Sequence, residues 1–171
     1  MQVFSISDFM LTKLVSAEEK NFPAIVMLAK KIWQEHYIPI IGAAQVDYML
    51  KEMYSLPALL QQKREGQQFF LIYMDENPEG YLSVSGKSGD FFLHKYYLNS
   101  NQQGKGIGKK IFSELINLFP EIKTIRLQVN RMNYKSVNFY FRLGFVIETA
   151  KDFDIGKGYL MEDYVMVLKR D

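Results

Sequence analysis

The chain has 171 residues, of which 48% are hydrophobic and 23% charged, with a net charge of +2 and no cysteine. These values are typical of a globular protein with one domain over residues 1–171, and they exclude a disordered chain. The small net charge gives no reason to expect a nucleic-acid partner. Without cysteine there is no disulfide, no thiolate metal site and no cysteine nucleophile, and no metal ion is predicted.

The N-terminal residues 1–10 lack the basic start and the long apolar core of a signal peptide. No apolar run in the chain approaches the roughly 20 residues that a membrane-spanning helix needs. We therefore expect a cytoplasmic protein without a membrane partner.

The first part of the chain predicts one strand followed by helices. A short strand is expected over residues 10–15. Apolar residues recur at helical spacing from Phe22, and Asn21 is a candidate N-cap for this helix. Helical spacing continues over residues 46–53, and a further short helix is expected after Ser55.

The second part predicts most of a sheet. Three runs rich in aromatic residues are separated by turn residues and predict an antiparallel meander: 67–74, 80–86 and 90–98. A helix, a strand, a second helix and two closing strands follow, at about 106–119, 124–129, 133–143, 145–153 and 159–168. This order predicts a mixed sheet covered by helices, an α/β (α+β layered) domain.

The loop at residues 103–108, Gln-Gly-Lys-Gly-Ile-Gly, joins the meander to the next helix. Its glycines permit a tight turn with exposed N–H groups, and the helix N-terminus adds unpaired donors and a positive dipole end. These features predict a site for a pyrophosphate-like anion. A P-loop would need glycine at Lys109, and a Rossmann fingerprint needs its third glycine one residue beyond Gly108. A plain glycine-rich turn is the structural alternative.

The loop resembles the acyl-CoA signature of the GNAT acetyltransferase superfamily, Gln/Arg-x-x-Gly-x-Gly/Ala, through Gln103, Gly106 and Gly108. The family's second signature, Asn-x-x-Ala/Ser-x-x-x-Tyr-x-x-x-Gly-Phe, is similar to the segment that starts at Asn133 and contains Tyr140. Two signatures in order are more specific than either alone. The nearest resemblance is to bacterial enzymes that acetylate polyamines or other small amines. It implies a mixed, mostly antiparallel sheet of about six to seven strands with four or so flanking helices.

The resemblance also implies that acetyl-CoA is the co-substrate of this chain. In the family, pantetheine pairs with the backbone of the strand before the loop, and the loop holds the pyrophosphate. The cofactor-binding residues implied in this way are Tyr96, Tyr97, Leu98, Gln103, Gly104, Lys105, Gly106, Ile107, Gly108, Lys109, Asn133 and Tyr140.

Asn133 and Tyr140 lie two helical turns apart and share a helix face. Tyr140 is predicted to be the catalytic acid that protonates the leaving thiolate, because its own proton stays in place at neutral pH. Its structural alternative is a core aromatic residue. Asn133 either hydrogen-bonds the pantetheine arm or caps its own helix.

The general base is less well marked. Many relatives carry a glutamate on the strand before the loop or on the next strand, and this chain has no carboxylate at the matching positions. His94 is the predicted catalytic base, because imidazole titrates near neutral pH. A purely structural role for His94, His36 as the base, and deprotonation through bound water are the alternatives.

The absence of cysteine excludes a thioester on the protein, so we expect direct attack of the amine in a ternary complex. Trp33 and Tyr37 are predicted to line the acceptor site. Acidic residues near the last turn could attract a cationic amine, and these are Asp152, Asp154, Glu162 and Asp163. The expected acceptor is a polyamine or other small-molecule amine. The alternatives are a protein N-terminus or lysine, or a non-catalytic acyl-CoA sensor. Relatives are often dimers, and we allow for a homodimer.

Overall fold

The computed structural model describes residues 11–170, so Met10 and the segment inspected for a signal peptide lie outside it. The strands are β1 (Thr12–Ser16), β2 (Gln68–Met74), β3 (Asn77–Lys87), β4 (Asp90–Leu98), β5 (Thr124–Asn130), β6 (Val146–Gly156) and β7 (Tyr159–Lys169). The helices are α1 (Phe22–His36), α2 (Ile38–Ile41), α3 (Ala43–Tyr54), α4 (Leu56–Arg64), α5 (Ile107–Leu118) and α6 (Tyr134–Arg142). Within residues 11–170, no helix combines the length and apolarity that crossing a membrane would require.

All seven strands belong to one sheet, in the order β1-β2-β3-β4-β5-β7-β6. The strands β2, β3 and β4 form the predicted antiparallel meander, joined by short turns. Helix α5 connects β4 to β5, and these two strands run parallel, as a helical crossover requires. The predicted mixed, mostly antiparallel sheet with flanking helices is confirmed.

Helices cover both faces of the sheet. Helices α5 and α6 pack on one face, where Ile111, Leu115 and Val137 join the apolar side chains of the central strands. Helices α1, α3 and α4 pack on the other face, where Ile25 and Leu59 are fully buried. Each helix turns its apolar side to the sheet, as expected from the 3.6-residue spacing of its hydrophobic positions. Because successive strand residues point to opposite faces, neighbouring residues of β4 serve different layers.

The sheet opens between β4 and β5. These strands pair only from Asp90 opposite Thr124 to Leu93 opposite Leu127. On its other side, β4 contains a bulge, because Lys95 lies opposite Ser83 while Leu93 lies opposite Val84, which leaves His94 as the extra residue. Beyond the bulge, residues 95–98 still pair with β3. Their edge toward β5 is therefore a backbone edge without a strand partner.

Asn21 does not cap α1 through its side chain. It occupies the N-cap position, but the position makes no side-chain cap hydrogen bond. Instead, the Asn21 carboxamide oxygen accepts a 2.9 Å hydrogen bond from the backbone N–H of Glu18. The predicted N-cap position is therefore confirmed, but the Asn21 side chain serves the short 3₁₀ turn before α1 and not the helix itself.

Candidate functional site

The glycine loop leaves backbone donors free at the start of α5. Gly104 and Gly106 both have φ of 78°, a left-handed conformation that glycine adopts without steric cost. Gly106 is the N-cap of α5, and the first helical hydrogen bond runs from Lys110 N–H to the Gly106 carbonyl. The N–H groups of residues 107–109 therefore have no helical partner and meet the positive end of the helix dipole. This arrangement suits an anion.

Side chains of the signature hold the loop in place. The Gln103 amide donates a 2.9 Å hydrogen bond to the Leu98 carbonyl, which ties the loop to the end of β4. The Tyr96 hydroxyl donates to the Gly108 carbonyl and ties β4 to the first turn of α5. Gln103 and Tyr96 thus shape the loop, whereas the free backbone N–H groups are the donors available to a ligand.

Gly108 permits the close approach of α5 and α6. A Cβ atom at this position would lie 3.0 Å from two ring carbons of Phe139 on α6. Such a contact is tighter than van der Waals packing allows without movement of the ring. The third glycine of the loop is therefore favoured by packing, whereas Gly104 and Gly106 are favoured by backbone conformation.

A cavity of about 360 Å³ lies between the loop, the end of β4 and α6. Most of the predicted cofactor-binding residues line it, namely Tyr96, Leu98, Gln103, Gly104, Gly106, Gly108, Lys109 and Tyr140. Four others do not line it: Tyr97 faces the opposite side of the sheet, Ile107 packs in the core, and Lys105 and Asn133 lie outside the lining. We call this space the first cavity.

Helix α6 contributes residues that the sequence analysis missed. They are Lys135, Ser136, Phe139, Arg142 and Leu143, and all five line the first cavity. Their spacing of three to four residues places them on one helix face with Tyr140. That spacing is the sequence feature that could have identified these residues. Lys135 and Arg142, with Lys109, give the cavity three cationic side chains.

Tyr140 lies in the last turn of α6 and is 8% exposed. It lines the first cavity, and no group within residues 11–170 makes a hydrogen bond to its hydroxyl. Burial raises the pKa of Tyr140, with a smaller contribution from nearby Tyr37. The hydroxyl therefore keeps its proton at neutral pH and can donate it into the cavity.

Asn133 uses its side chain within the protein. Its carboxamide oxygen accepts a 3.2 Å hydrogen bond from the Ser136 N–H, which caps α6. Its amide donates a 3.2 Å hydrogen bond to the Tyr37 hydroxyl. Asn133 is 2% exposed and caps α6, as one of the two alternatives predicts, and its hydrogen bond to the pantetheine arm stays a prediction.

A second, smaller cavity of about 50 Å³ opens on the other face of the sheet. The predicted acceptor residues Trp33 of α1 and Tyr37, its C-cap, line it together with Tyr97 of β4 and Gln128 of β5. Tyr96 and Tyr97 are adjacent and line the first and the second cavity respectively. The two cavities therefore lie on opposite sides of the opening between β4 and β5.

The structure places His94 apart from both cavities. Its Nε2 atom lies 2.7 Å from the Ser85 Oγ atom, and its ring lies 4.8 Å from the Phe92 ring. Burial of the ring, and then Lys95, lower the pKa of His94 to about 4. His94 lines neither cavity, and its catalytic role stays a prediction.

His36, the alternative base, is the last residue of α1. Its ring meets the Tyr37 ring edge-on at 4.9 Å. Burial lowers the pKa of His36, hydrogen bonding with Asn133 raises it, and Lys135 lowers it. His36 lines neither cavity.

Comparisons with known proteins agree with this geometry. The profile of the Acetyltransferase (GNAT) family matches residues 27–145. The chain is 25% identical to spermidine N(1)-acetyltransferase of Thermoplasma acidophilum over 150 residues, which cover 84% of this chain and 91% of that protein. It is also 28% identical to the peptidyl-lysine N-acetyltransferase YjaB of Salmonella typhimurium over 85 residues. These residues cover 49% of this chain and 54% of that protein.

The fold is also found among solved structures. The crystal structure of PaiA N-acetyltransferase from Thermoplasma acidophilum, in complex with coenzyme A, superimposes with a TM-score of 0.76 at 23% identity. The match covers 94% of this chain and all of that chain (100%). Since the family profile spans both sequence signatures, and both signatures border the first cavity, this chain belongs to the acetyltransferase (GNAT) family and is an N-acetyltransferase.

Proposed function

We propose that this protein transfers an acetyl group from acetyl-CoA to a primary amine, with both substrates bound at once. One observation carries the proposal: two cavities lie on opposite faces of the sheet and border the same opening between β4 and β5. A thioester that enters from one face can meet an amine that enters from the other. No cysteine is available for an acetylated intermediate.

The first cavity fits acetyl-CoA. The free N–H groups at the start of α5 suit the pyrophosphate, and Lys109, Lys135 and Arg142 add positive charge around it. The unpaired edge of β4 beyond the bulge offers backbone groups to the amide groups of pantetheine. The PaiA structure, which has the same fold, contains coenzyme A and supports this assignment.

Tyr140 is the proposed acid. The amine nitrogen attacks the thioester carbonyl carbon, the carbon–sulfur bond breaks, and the Tyr140 hydroxyl protonates the departing sulfur. In this proposal, backbone N–H groups on the free edge of β4 stabilise the negative charge that develops on the carbonyl oxygen. The alkylammonium acceptor loses one proton to solvent before its nitrogen attacks. The second proton leaves the nitrogen after the carbon–nitrogen bond has formed, and it restores the proton that Tyr140 gave to the sulfur.

The proposed acceptor is a polyamine or another small amine. The second cavity is small and has three aromatic rings and the Asp163 carboxylate in its wall, and the similarity to spermidine N(1)-acetyltransferase supports this class. A peptidyl-lysine acceptor is the second candidate, because YjaB is similar to half of this chain and a lysine side chain is also a primary alkylamine.

The test is a coenzyme A release assay with acetyl-CoA and a panel of acceptors: spermidine, spermine, short diamines, aminoglycosides, amino acids and lysine-containing peptides. We expect turnover with the polyamines or diamines. Turnover with the peptides alone would replace the acceptor class by peptidyl-lysine. Acetyl-CoA binding without turnover on any amine would contradict an enzymatic role and indicate a sensor.

A further inference from the structure

The four acidic residues of the β6–β7 hairpin have different environments. Asp152 lies directly opposite Glu162 in the hairpin register, and both carboxylates pair with Arg131. Asp154 accepts a 2.8 Å hydrogen bond from the Gly156 N–H at the turn. Asp163 points to the other face and lines the second cavity. The hairpin register, which the sequence pattern did not reveal, therefore separates Asp163 from the other three.

The side chain of Asp163 is largely buried, and its carboxylate borders the second cavity. Only 3% of its surface is exposed, and within residues 11–170 no side chain forms an ion pair or a hydrogen bond with its carboxylate. A carboxylate taken out of water is destabilising unless hydrogen bonds or an opposite charge compensate it. Such a group on a cavity wall indicates a positively charged ligand that completes it.

The other walls of the second cavity also suit a cation. The Trp33 and Tyr37 rings stack at 4.4 Å between centroids, and the Tyr97 ring lies 5.7 Å from Trp33. Aromatic faces attract ammonium groups, most strongly where water is excluded. A volume of about 50 Å³ gives room for about three to five water-sized groups at roughly 10–15 Å³ each. An ammonium group on a short methylene chain fills such a space.

We propose that Asp163 binds a protonated nitrogen of the acceptor in the second cavity, and that it selects unbranched alkylammonium compounds as substrates. This inference rests on the proposed acetyl transfer, because only that reaction makes the bound amine an acceptor. Asp163 lies opposite Asn130 at the end of β5, so the bound nitrogen sits beside the opening that leads to the first cavity. Asp163 acts here as the residue that determines specificity.

The charges around Asp163 define the pH dependence. Burial raises the pKa of Asp163 to about 6, Arg131 opposes this shift, and Asp152 adds to it. Tyr37 faces the carboxylate from α1, and Lys151 lies opposite it in the hairpin. Protonation of Asp163 removes its charge, so the affinity for the amine falls as the pH drops through about 6.

The test compares Asp163→Asn with Asp152→Asn, a matched carboxylate on the opposite face of the same hairpin. Calorimetry with butan-1-amine and 1,4-diaminobutane as probes, and butan-1-ol as the neutral control, measures binding without turnover. We expect Asp163→Asn to weaken amine binding at least tenfold at pH 7.5, with acetyl-CoA affinity within twofold of the wild type. Asp152→Asn binds amines as the wild type does, and butan-1-ol binds to none of the three proteins. Unchanged amine affinity in Asp163→Asn would overturn the inference.

Two further readouts separate a ligand role from a structural one. Asp163→Asn removes an unpartnered buried charge, so we expect a melting temperature equal to or above that of the wild type. Asp163→Glu keeps the charge and restores part of the amine affinity. If Asp163→Asn is less stable than the wild type and Asp163→Glu does not restore amine affinity, the role of Asp163 is structural. If amines bind through Asp163 but no acetyl transfer occurs, the proposed function fails while the cation site stands.

Discussion

The side-chain amide of Asn133 donates a 3.2 Å hydrogen bond to the hydroxyl of Tyr37, which lies 96 residues earlier in the chain. Tyr37 follows α1 on one face of the sheet, and Asn133 caps α6 on the other face, just beyond the end of β5. Tyr37 lines the second cavity, and α6 carries Tyr140 into the first. This buried hydrogen bond therefore joins the walls of the two cavities.

The first prediction concerns that hydrogen bond. Asn133→Ala removes the N-cap of α6 and the donor to Tyr37, and we expect it to lower the free energy of unfolding by about 2–3 kcal/mol. Tyr37→Phe is the matched variant, because it removes one acceptor and leaves the cap in place. Urea unfolding gives the free energy of unfolding of both variants. An Asn133→Ala variant no less stable than Tyr37→Phe would show that the cap contributes nothing.

The second prediction concerns the proposed acid. Tyr140→Phe keeps the ring and removes only the hydroxyl, so we expect kcat to fall roughly 10²–10⁴-fold with little change in acetyl-CoA affinity. Tyr134→Phe is the control, because Tyr134 lies on the same helix with 62% of its surface exposed. Steady-state kinetics and calorimetric titration of acetyl-CoA measure the two effects. If Tyr140→Phe retains full turnover, Tyr140 is not the acid.

The third prediction concerns the anion site. Gly106 and Gly158 have nearly the same φ, 78° and 80°, and a Cβ atom at either position meets nothing within 4 Å. Glutamate at either position introduces a similar backbone strain of about 1–2 kcal/mol. Only Gly106→Glu places a carboxylate at the start of α5, so we expect it to abolish acetyl-CoA binding.

The Gly158→Glu variant controls for strain, and its acetyl-CoA affinity should match that of the wild type. Thermal unfolding shows whether the two substitutions destabilise the fold equally. Acetyl-CoA bound by Gly106→Glu with normal affinity would refute the assignment of the loop.

The fourth prediction concerns Lys95, which is 7% exposed. Its Nζ atom lies 2.7 Å from the Gln62 amide oxygen and 5.2 Å from the centre of the Tyr54 ring, and within residues 11–170 no carboxylate lies within 4.0 Å of it. Burial lowers the pKa of Lys95 from 10.5 to about 8. Between these two values the unfolded chain binds more protons than the native state, so stability rises with pH.

Lys95→Met keeps the side-chain volume and removes the titrating group. Between pH 7.5 and 9.5 we expect the free energy of unfolding of the wild type to rise by about 2 kcal/mol relative to Lys95→Met. Urea unfolding at the two pH values gives this difference. Parallel pH profiles for the two proteins would mean that Lys95 has an ordinary pKa in the native state.

The sequence predicted the elements with strong local signals. The bounds of β4 agree with the aromatic run at residues 90–98, because turn residues mark both of its ends. The glycine loop was found for the same reason: backbone conformation and packing leave few alternatives to glycine at Gly104, Gly106 and Gly108. Such constraints act over a few residues and are visible in the sequence.

The features that the sequence did not predict depend on pairing between residues that are far apart in the chain. The bulge at His94 determines which of its neighbours face the second cavity, and it arises from the register between β3 and β4. Strand alternation separates Asp163 from Glu162, but the sequence did not show which of the two faces the second cavity. The Tyr37–Asn133 hydrogen bond joins two layers of the fold, and no local pattern indicates it.

Initial-rate kinetics test the central claim, that the two cavities hold acetyl-CoA and an amine together. The concentrations of acetyl-CoA and spermidine are varied in a full matrix, and the reciprocal rates are plotted against each. We predict lines that intersect, as a ternary complex requires, and no mass increase when the protein meets acetyl-CoA alone. Parallel lines, with an acetylated protein that passes its acetyl group to spermidine, would contradict the account.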